Sequence, residues 1–268
     1  MIFGCKKKMN DRSFFLDTIL FSFHDALMST LYFIRHGQAS FGKSDYDQLS
    51  EKGKKQARLL AGYLHKNDFR FDIIIRGPQK RHEQTAHELI EIYRSCGRPC
   101  PDTLCMEELA EYDFTSVLKI LMPVIISEDE QMNRNAARMF DEPKAFQRLF
   151  EAVMMRWVNG DPAIPHDISW EAFKSRVNRG IDSIMEKFGR GAHIGVFTSG
   201  GPISVSIQRA LGLSGETAMQ LNWQIVNCSV TRFKCTQDRI MLASFNEYPW
   251  LETHADRSLV TNNNKDKE

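Results

Sequence analysis

The 268-residue chain, 42% hydrophobic, is long enough for one large domain or two small ones and apolar enough to bury a sizeable core, which excludes a disordered chain. Its 35 basic and 34 acidic side chains leave a net charge of +1. No broad positive field exists to hold nucleic acid or an anionic membrane, so a bound anion must be caught locally.

Residues 1–27 loosely mimic a signal peptide, with Lys6-Lys7-Lys8 before the apolar stretch from Ser13 to Phe21. Asp17 interrupts that stretch, and His24-Asp25 stand where a small-residue cleavage site belongs, so export is not supported. The segment reads as an extension, disordered or not native, with Met28 as the biological start. No apolar run reaches the roughly 20 residues of a membrane span. The six cysteines, Cys5, Cys96, Cys100, Cys105, Cys228 and Cys235, form no CxxC pair. They read as reduced thiols of a cytoplasmic protein, with no metal and no cofactor implied.

From Leu31 the chain alternates. Leu31-Tyr32-Phe33-Ile34 reads as a buried strand delivering Arg35 and His36 at its carboxyl end. Ser50 caps a helix to about Lys66, with Ala57, Leu60, Ala61 and Leu64 at helical spacing. Phe71 to Ile75 is a second strand, broken at Gly77-Pro78, before a helix carrying Arg81, Thr85, Leu89 and Tyr93. From Glu111 to about Trp170 the pattern loosens, with Pro123, Pro143, Pro162 and Pro165 interrupting helical stretches such as 145–157, as in a cap inserted over the first layer. A helix from Trp170 to Phe188, the strand His193 to Thr198, the turn Ser199-Gly200-Gly201-Pro202 and a helix from Ile203 to Leu211 follow. Residues 224–234 and 239–245 read as a closing strand pair, and 252–268 as a disordered tail. The fold predicted is α/β, a mainly parallel central sheet flanked by helices on both faces, with a helical cap at about 112–170 inside a domain spanning 28–251.

In such a sheet the ligand crevice lies at the carboxyl ends of the strands. There the guanidiniums of Arg35 and Arg81, the His36 imidazole, Ser199 and the backbone amide of Gly200 at a helix N-terminus would converge, a set suited to a phosphoryl group. An arginine fork holds two phosphate oxygens, and a neutral imidazole can attack phosphorus. A carboxylic acid is then needed to protonate the leaving oxygen and later activate water. Glu111 is the candidate, with Glu108 as its near alternative.

These residues resemble the histidine phosphatase superfamily, which includes phosphoglycerate mutases and many small phosphatases. The resemblance covers about Thr30 to Leu251 and rests on Leu31-Tyr32-Phe33-Ile34-Arg35-His36-Gly37, on Pro78 to Ala86 with its Arg-x-x-Gln-Thr-Ala start at Arg81, and on Leu109-Ala110-Glu111. It implies His36 as nucleophile, Arg35 and Arg81 as phosphate clamps and Glu111 as proton donor. Where the family carries Ser-His-Gly-Gly, this chain reads Thr198-Ser199-Gly200-Gly201, so a serine replaces the second histidine. Losing one such donor takes on the order of 10²–10³ from the rate. Gln38-Ala39-Ser40 also lacks a threonine that many members place after the first motif.

Plainer roles compete. His36 and Arg35 can be core groups, Glu111 can belong to a solvated acidic face with Glu107, Glu108 and Asp113, and Ser199 can be a helix N-cap. His82 and His193 read as structural or surface groups, neither standing where the missing imidazole would be. The function expected is hydrolysis of a small-molecule phosphate ester through a phosphohistidine, slowed by Ser199. The alternative is a catalytically silent phosphate-binding scaffold. A phosphoglycerate mutase is disfavoured, since Tyr112-Asp113-Phe114 replaces the Tyr-Gly-Gly of mutases. Neither a nucleic-acid nor a membrane partner is expected, and the sequence leaves the oligomeric state open.

Overall fold

A computed structural model describes residues 28–40, 47–188 and 191–262; the expectation for residues 1–27 lies outside them. Strand β1, Ser29–Arg35, is buried along its whole length. It pairs in parallel with β4 (His193–Thr198) and antiparallel with β5 (Val230–Cys235). With β2 (Ile73–Arg76), β3 (Asp102–Cys105) and β6 (Ile240–Glu247), they form a six-stranded sheet in the order β3-β2-β4-β1-β5-β6. The first four strands in that order are parallel and the last two antiparallel.

Side chains alternate along each strand, so both faces of the sheet must be covered. Tyr32, Ile34, Ile74 and Phe197 pack on one side against residues of α1 (Glu51–Lys66), α2 (Lys80–Ser95) and α9 (Pro249–Glu252). Leu31, Phe33, Ile75, Ile194 and Val196 pack on the other, in one core with α3 (Phe114–Glu128), α5 (Pro143–Val158), α6 (Trp170–Lys187), α7 (Gly200–Leu211) and α8 (Gly215–Asn222). The chain is therefore α/β, a mainly parallel sheet with helices on both faces.

Local signals fix several helix ends, the Ser50 cap among them as expected. Ser50 Oγ accepts the Gly53 amide at 3.0 Å to start α1, and Ser169 Oγ accepts the Ala172 amide at 3.2 Å to start α6. Gly212, at φ 65°, ends α7 in the left-handed conformation that glycine adopts freely.

Elsewhere the structure departs from the reading. Pro123 does not interrupt a helix: α3 runs through it, anchored by the buried Val117, Leu121 and Ile125. The lost hydrogen bond is outweighed by burial. Helix α4 (Glu130–Ala136) and the edge strand β3 have no counterpart in the sequence reading. Residues 224–229, read as strand, are a loop tied to the end of β1: Cys228 donates its amide to the Arg35 carbonyl at 3.0 Å, and Asn227 Nδ2 donates to the His36 carbonyl at 3.0 Å. The tail read as disordered from 252 is folded through Asn262. Gln56 Nε2 donates to the Leu259 carbonyl and to Thr261 Oγ1, both at 2.7 Å, and Leu259 is buried.

Candidate active site

Strands β1, β2 and β4 run in parallel and end together. In register Arg35 lies beside Thr198, and the His36 amide donates to the Thr198 carbonyl at 2.9 Å, so His36 and Ser199 leave the sheet side by side. Strand β2 leads through Gly77 to the first turn of α2, whose buried face begins with Arg81 and His82.

His36 is 7% exposed. Its Nδ1 lies 2.7 Å from the Gly37 carbonyl, which can only accept, so the ring hydrogen sits on Nδ1 and the lone pair on Nε2. That lone pair receives the Nε–H of Arg81 at 3.2 Å. Burial, then the charge of Arg81, then His82 and Arg35, hold His36 well below its ordinary value near 6.5, against an upward pull from the Gly37 carbonyl. The ring is therefore neutral and nucleophilic at neutral pH.

Both arginines are almost wholly buried, at 6% and 7% exposure. Arg35 donates from Nη1 to the Ile225 carbonyl. Arg81 pairs through Nη1 with Asp47 Oδ1 at 2.7 Å, while Asp47 Oδ2 accepts the Lys80 amide at 2.8 Å. Asp47 thus aims the guanidinium from the opening of α2. Nothing in the sequence around Asp47 marks it, because the contact joins a loop to a distant helix.

Glu111 follows the one-turn helix Glu107–Leu109. One carboxylate oxygen accepts the Tyr112 amide at 3.1 Å, and the other accepts the Gly201 amide, in the first turn of α7, at 3.3 Å. Burial raises its pKa above the ordinary carboxylate value. Arg81, these two amides and Arg35 pull it back without reversing the shift. A carboxyl held this way is suited to carry and give up a proton. A side chain at position 201 would put its Cβ 2.0 Å from Glu111 Oε1, so the contact needs glycine there. At Gly200 the same atom would fall 2.1 Å from Asn222 Oδ1.

The acidic stretch is not one solvated face: Glu111 points into the site, whereas Asp113 caps α3 by accepting the Ser116 amide at 3.0 Å. Ser199 occupies the N-cap position of α7 but makes no capping bond. Its buried Oγ instead lies 2.7 Å from Nε2 of His82. His82, read as a structural or surface group away from the missing imidazole, is fully buried, with its ring centroid 5.6 Å from that of His36. His193 stands at the other end of β4, against Tyr32 Oη. Among the described residues no group of three or more His, Cys, Asp or Glu side chains is placed to hold a metal ion.

The model of the histidine phosphatase superfamily (branch 1) matches residues 31–160 and 138–248. Among solved structures, phosphoserine phosphatase of Entamoeba histolytica, in complex with 3-phosphoglyceric acid, aligns at TM-score 0.56 and 18% identity, covering 84% of this chain and 100% of its own. Phosphoglycerate mutase of Bacillus anthracis aligns at 0.55 and 19% over 84% and 96%. The alpha-ribazole phosphatase of Shigella flexneri aligns at 0.52 and 19% over 82% and 96%. No curated protein sequence matches. The structural likenesses establish the fold, and the sequence match covers most of the chain. The protein belongs to the histidine phosphatase superfamily, branch 1.

Proposed function

We propose that the protein hydrolyses small-molecule phosphate monoesters through a phosphohistidine at His36. Arg35, Arg81 and the Gly200 amide hold the phosphoryl oxygens, Arg81 exchanging its bond to His36 for one to the substrate. Nε2 of His36 attacks phosphorus: the N–P bond forms, the ester P–O bond breaks, and Glu111 gives its proton to the departing oxygen. Water then attacks the phosphohistidine, a new P–O bond forming as the N–P bond breaks, and passes a proton to the Glu111 carboxylate. Inorganic phosphate leaves, and both groups return to their starting state.

The observation that carries this reading is the fixed tautomer of His36, whose Nε2 lone pair faces the buried Arg81 guanidinium at 3.2 Å. Two structural neighbours bear the names of phosphatases acting on small phosphate monoesters, which supports that substrate class. The five described cysteines are free thiols, in keeping with a cytoplasmic setting. No helix among the described residues is long and apolar enough to cross a membrane.

The test is phosphate release from p-nitrophenyl phosphate by the wild type and by His36→Ala. Release by the first and none by the second is expected; equal rates would overturn the mechanism. The serine at position 199 favours a second reading, a silent phosphate-binding scaffold. That reading predicts stabilisation by orthovanadate without any turnover.

A further inference from the structure

The missing second histidine leaves a place in the site, and the structure puts another imidazole beside it. Ser199 lies next to His36 across the β1–β4 pairing, fully buried, with its hydroxyl turned away from the helix it could have capped. That hydroxyl meets His82 Nε2 at 2.7 Å. The His82 ring enters the core through a gap made for it: a Cβ at position 77 would fall 2.4 Å from His82 Nδ1. Burial and the neighbouring Arg81 and Arg76 keep this imidazole uncharged, despite an opposing pull from the Gly77 carbonyl. An apolar residue would fill the same volume without bringing a polar ring into the core.

We infer that His82 is a positioning residue that acts through Ser199, the two together supplying the hydrogen bond to the phosphoryl group that a histidine at position 199 would have given. The inference rests on the proposed phosphoryl chemistry at His36. A serine reaches less far than an imidazole and its hydroxyl rotates; held on one side, it points one way. With the ring hydrogen on Nε2, Ser199 Oγ accepts from His82 and its own hydrogen is left for an oxyanion. With the hydrogen on Nδ1, the serine hydrogen is spent on His82 and a lone pair faces the anion. An arriving phosphoryl group therefore selects the first arrangement. As charge gathers on its oxygens, the bonds from Ser199 and from His82 strengthen together. No proton passes from His82 to the phosphoryl group and no covalent bond forms between them.

The experiment is a double-mutant cycle with His82→Leu, Ser199→Ala and the double variant, reading kcat and KM on p-nitrophenyl phosphate and folding by circular dichroism. Each single change is expected to lower kcat by on the order of 10²-fold, with KM moved by no more than about threefold. The double variant should be no slower than either single one, because the two residues form one device. Wild-type kcat in His82→Leu, or losses that multiply, overturn the inference while leaving the phosphatase reading in place. If the wild type releases no phosphate, the phosphatase reading fails and orthovanadate affinity decides. Equal single losses with no further loss in the double then support the pair. Multiplying losses, or no vanadate binding by the wild type, overturn it. Should His82→Leu not fold, the imidazole ¹⁵N shifts of the wild type decide. Vanadate must leave the hydrogen of His82 on Nε2, and hydrogen on Nδ1 alone in the vanadate complex overturns the inference.

Discussion

His36 and Glu111 have their proton affinities moved in opposite directions by one shared cause. Burial penalises the charged form of each, lowering the imidazole and raising the carboxyl, and the two arginines add to the first shift and partly offset the second. A base kept neutral beside a carboxyl whose hold on its proton is strengthened is the pairing that acid-assisted phosphoryl transfer needs. Because His36 loses its proton well below 6.5, the rate should not climb through that value as it would for an ordinary histidine. It should instead fall on the alkaline side as Glu111 ionises, from a pKa raised above 4.5. A kcat/KM profile highest in acid, with the alkaline fall abolished in Glu111→Gln, is expected; a profile rising through 6.5 contradicts these assignments. The same variant should lose on the order of 10²–10⁴ in kcat/KM with an alkyl phosphate and much less with p-nitrophenyl phosphate, whose leaving group departs unassisted. Equal losses on the two substrates would remove Glu111 from the role of proton donor.

Helix α1 touches the loop after β1 so closely that the contact tolerates no side chain. A Cβ on Gly53 would lie 2.1 Å from the Gln38 carbonyl oxygen, and one on Gly37 would lie 2.4 Å from the Gly53 carbonyl oxygen. Both neighbours are backbone and cannot swing aside. Inside a helix, glycine to alanine normally stabilises by about 0.8–1 kcal/mol. Gly53→Ala should do the reverse, costing about 1–3 kcal/mol as overpacking, and should lower activity by shifting the loop whose Gly37 carbonyl sets the His36 tautomer. Urea unfolding of the two proteins checks the sign, and a more stable variant would show that the loop moves freely. Elements such as α1, α2, β1 and β4 were legible because burial of one face or both imposes a regular spacing of apolar residues. Strand β3, Asp-Thr-Leu-Cys, was not, since its residues are exposed or only partly buried and carry no pattern. Pro123 misled because local backbone preference was overridden by a buried face that only the fold assembles.

At the scale of the whole molecule, the sheet's topology brings together what the chain holds apart. Arg35, His36 and Arg81 were legible because each sits at a strand end or a helix start, where α/β sheets gather ligands. Glu111, in the connection after a one-turn helix, was picked out only because the chemistry needs a carboxylic acid. Asp47, Asn227 and His82 were not. Asp47 and Asn227 lie in loops, and their roles arise from contacts with residues far off in sequence. His82 sits beside a recognised arginine, but whether its ring faces the core or the solvent depends on how α2 seats against β4. The tail from 252 to 262 was misread for a similar reason, its order coming from Gln56 on α1 and not from its own composition. The assembled site makes one claim above the others, that a phosphoryl group passes through Nε2 of His36. Rapid quenching in alkali, during turnover of a phosphomonoester, followed by peptide mapping tests it. An acid-labile, alkali-stable phosphoryl group on the peptide holding His36, absent from His36→Ala, is the predicted result. Phosphate release with no such adduct, or an adduct on another residue, would contradict the account.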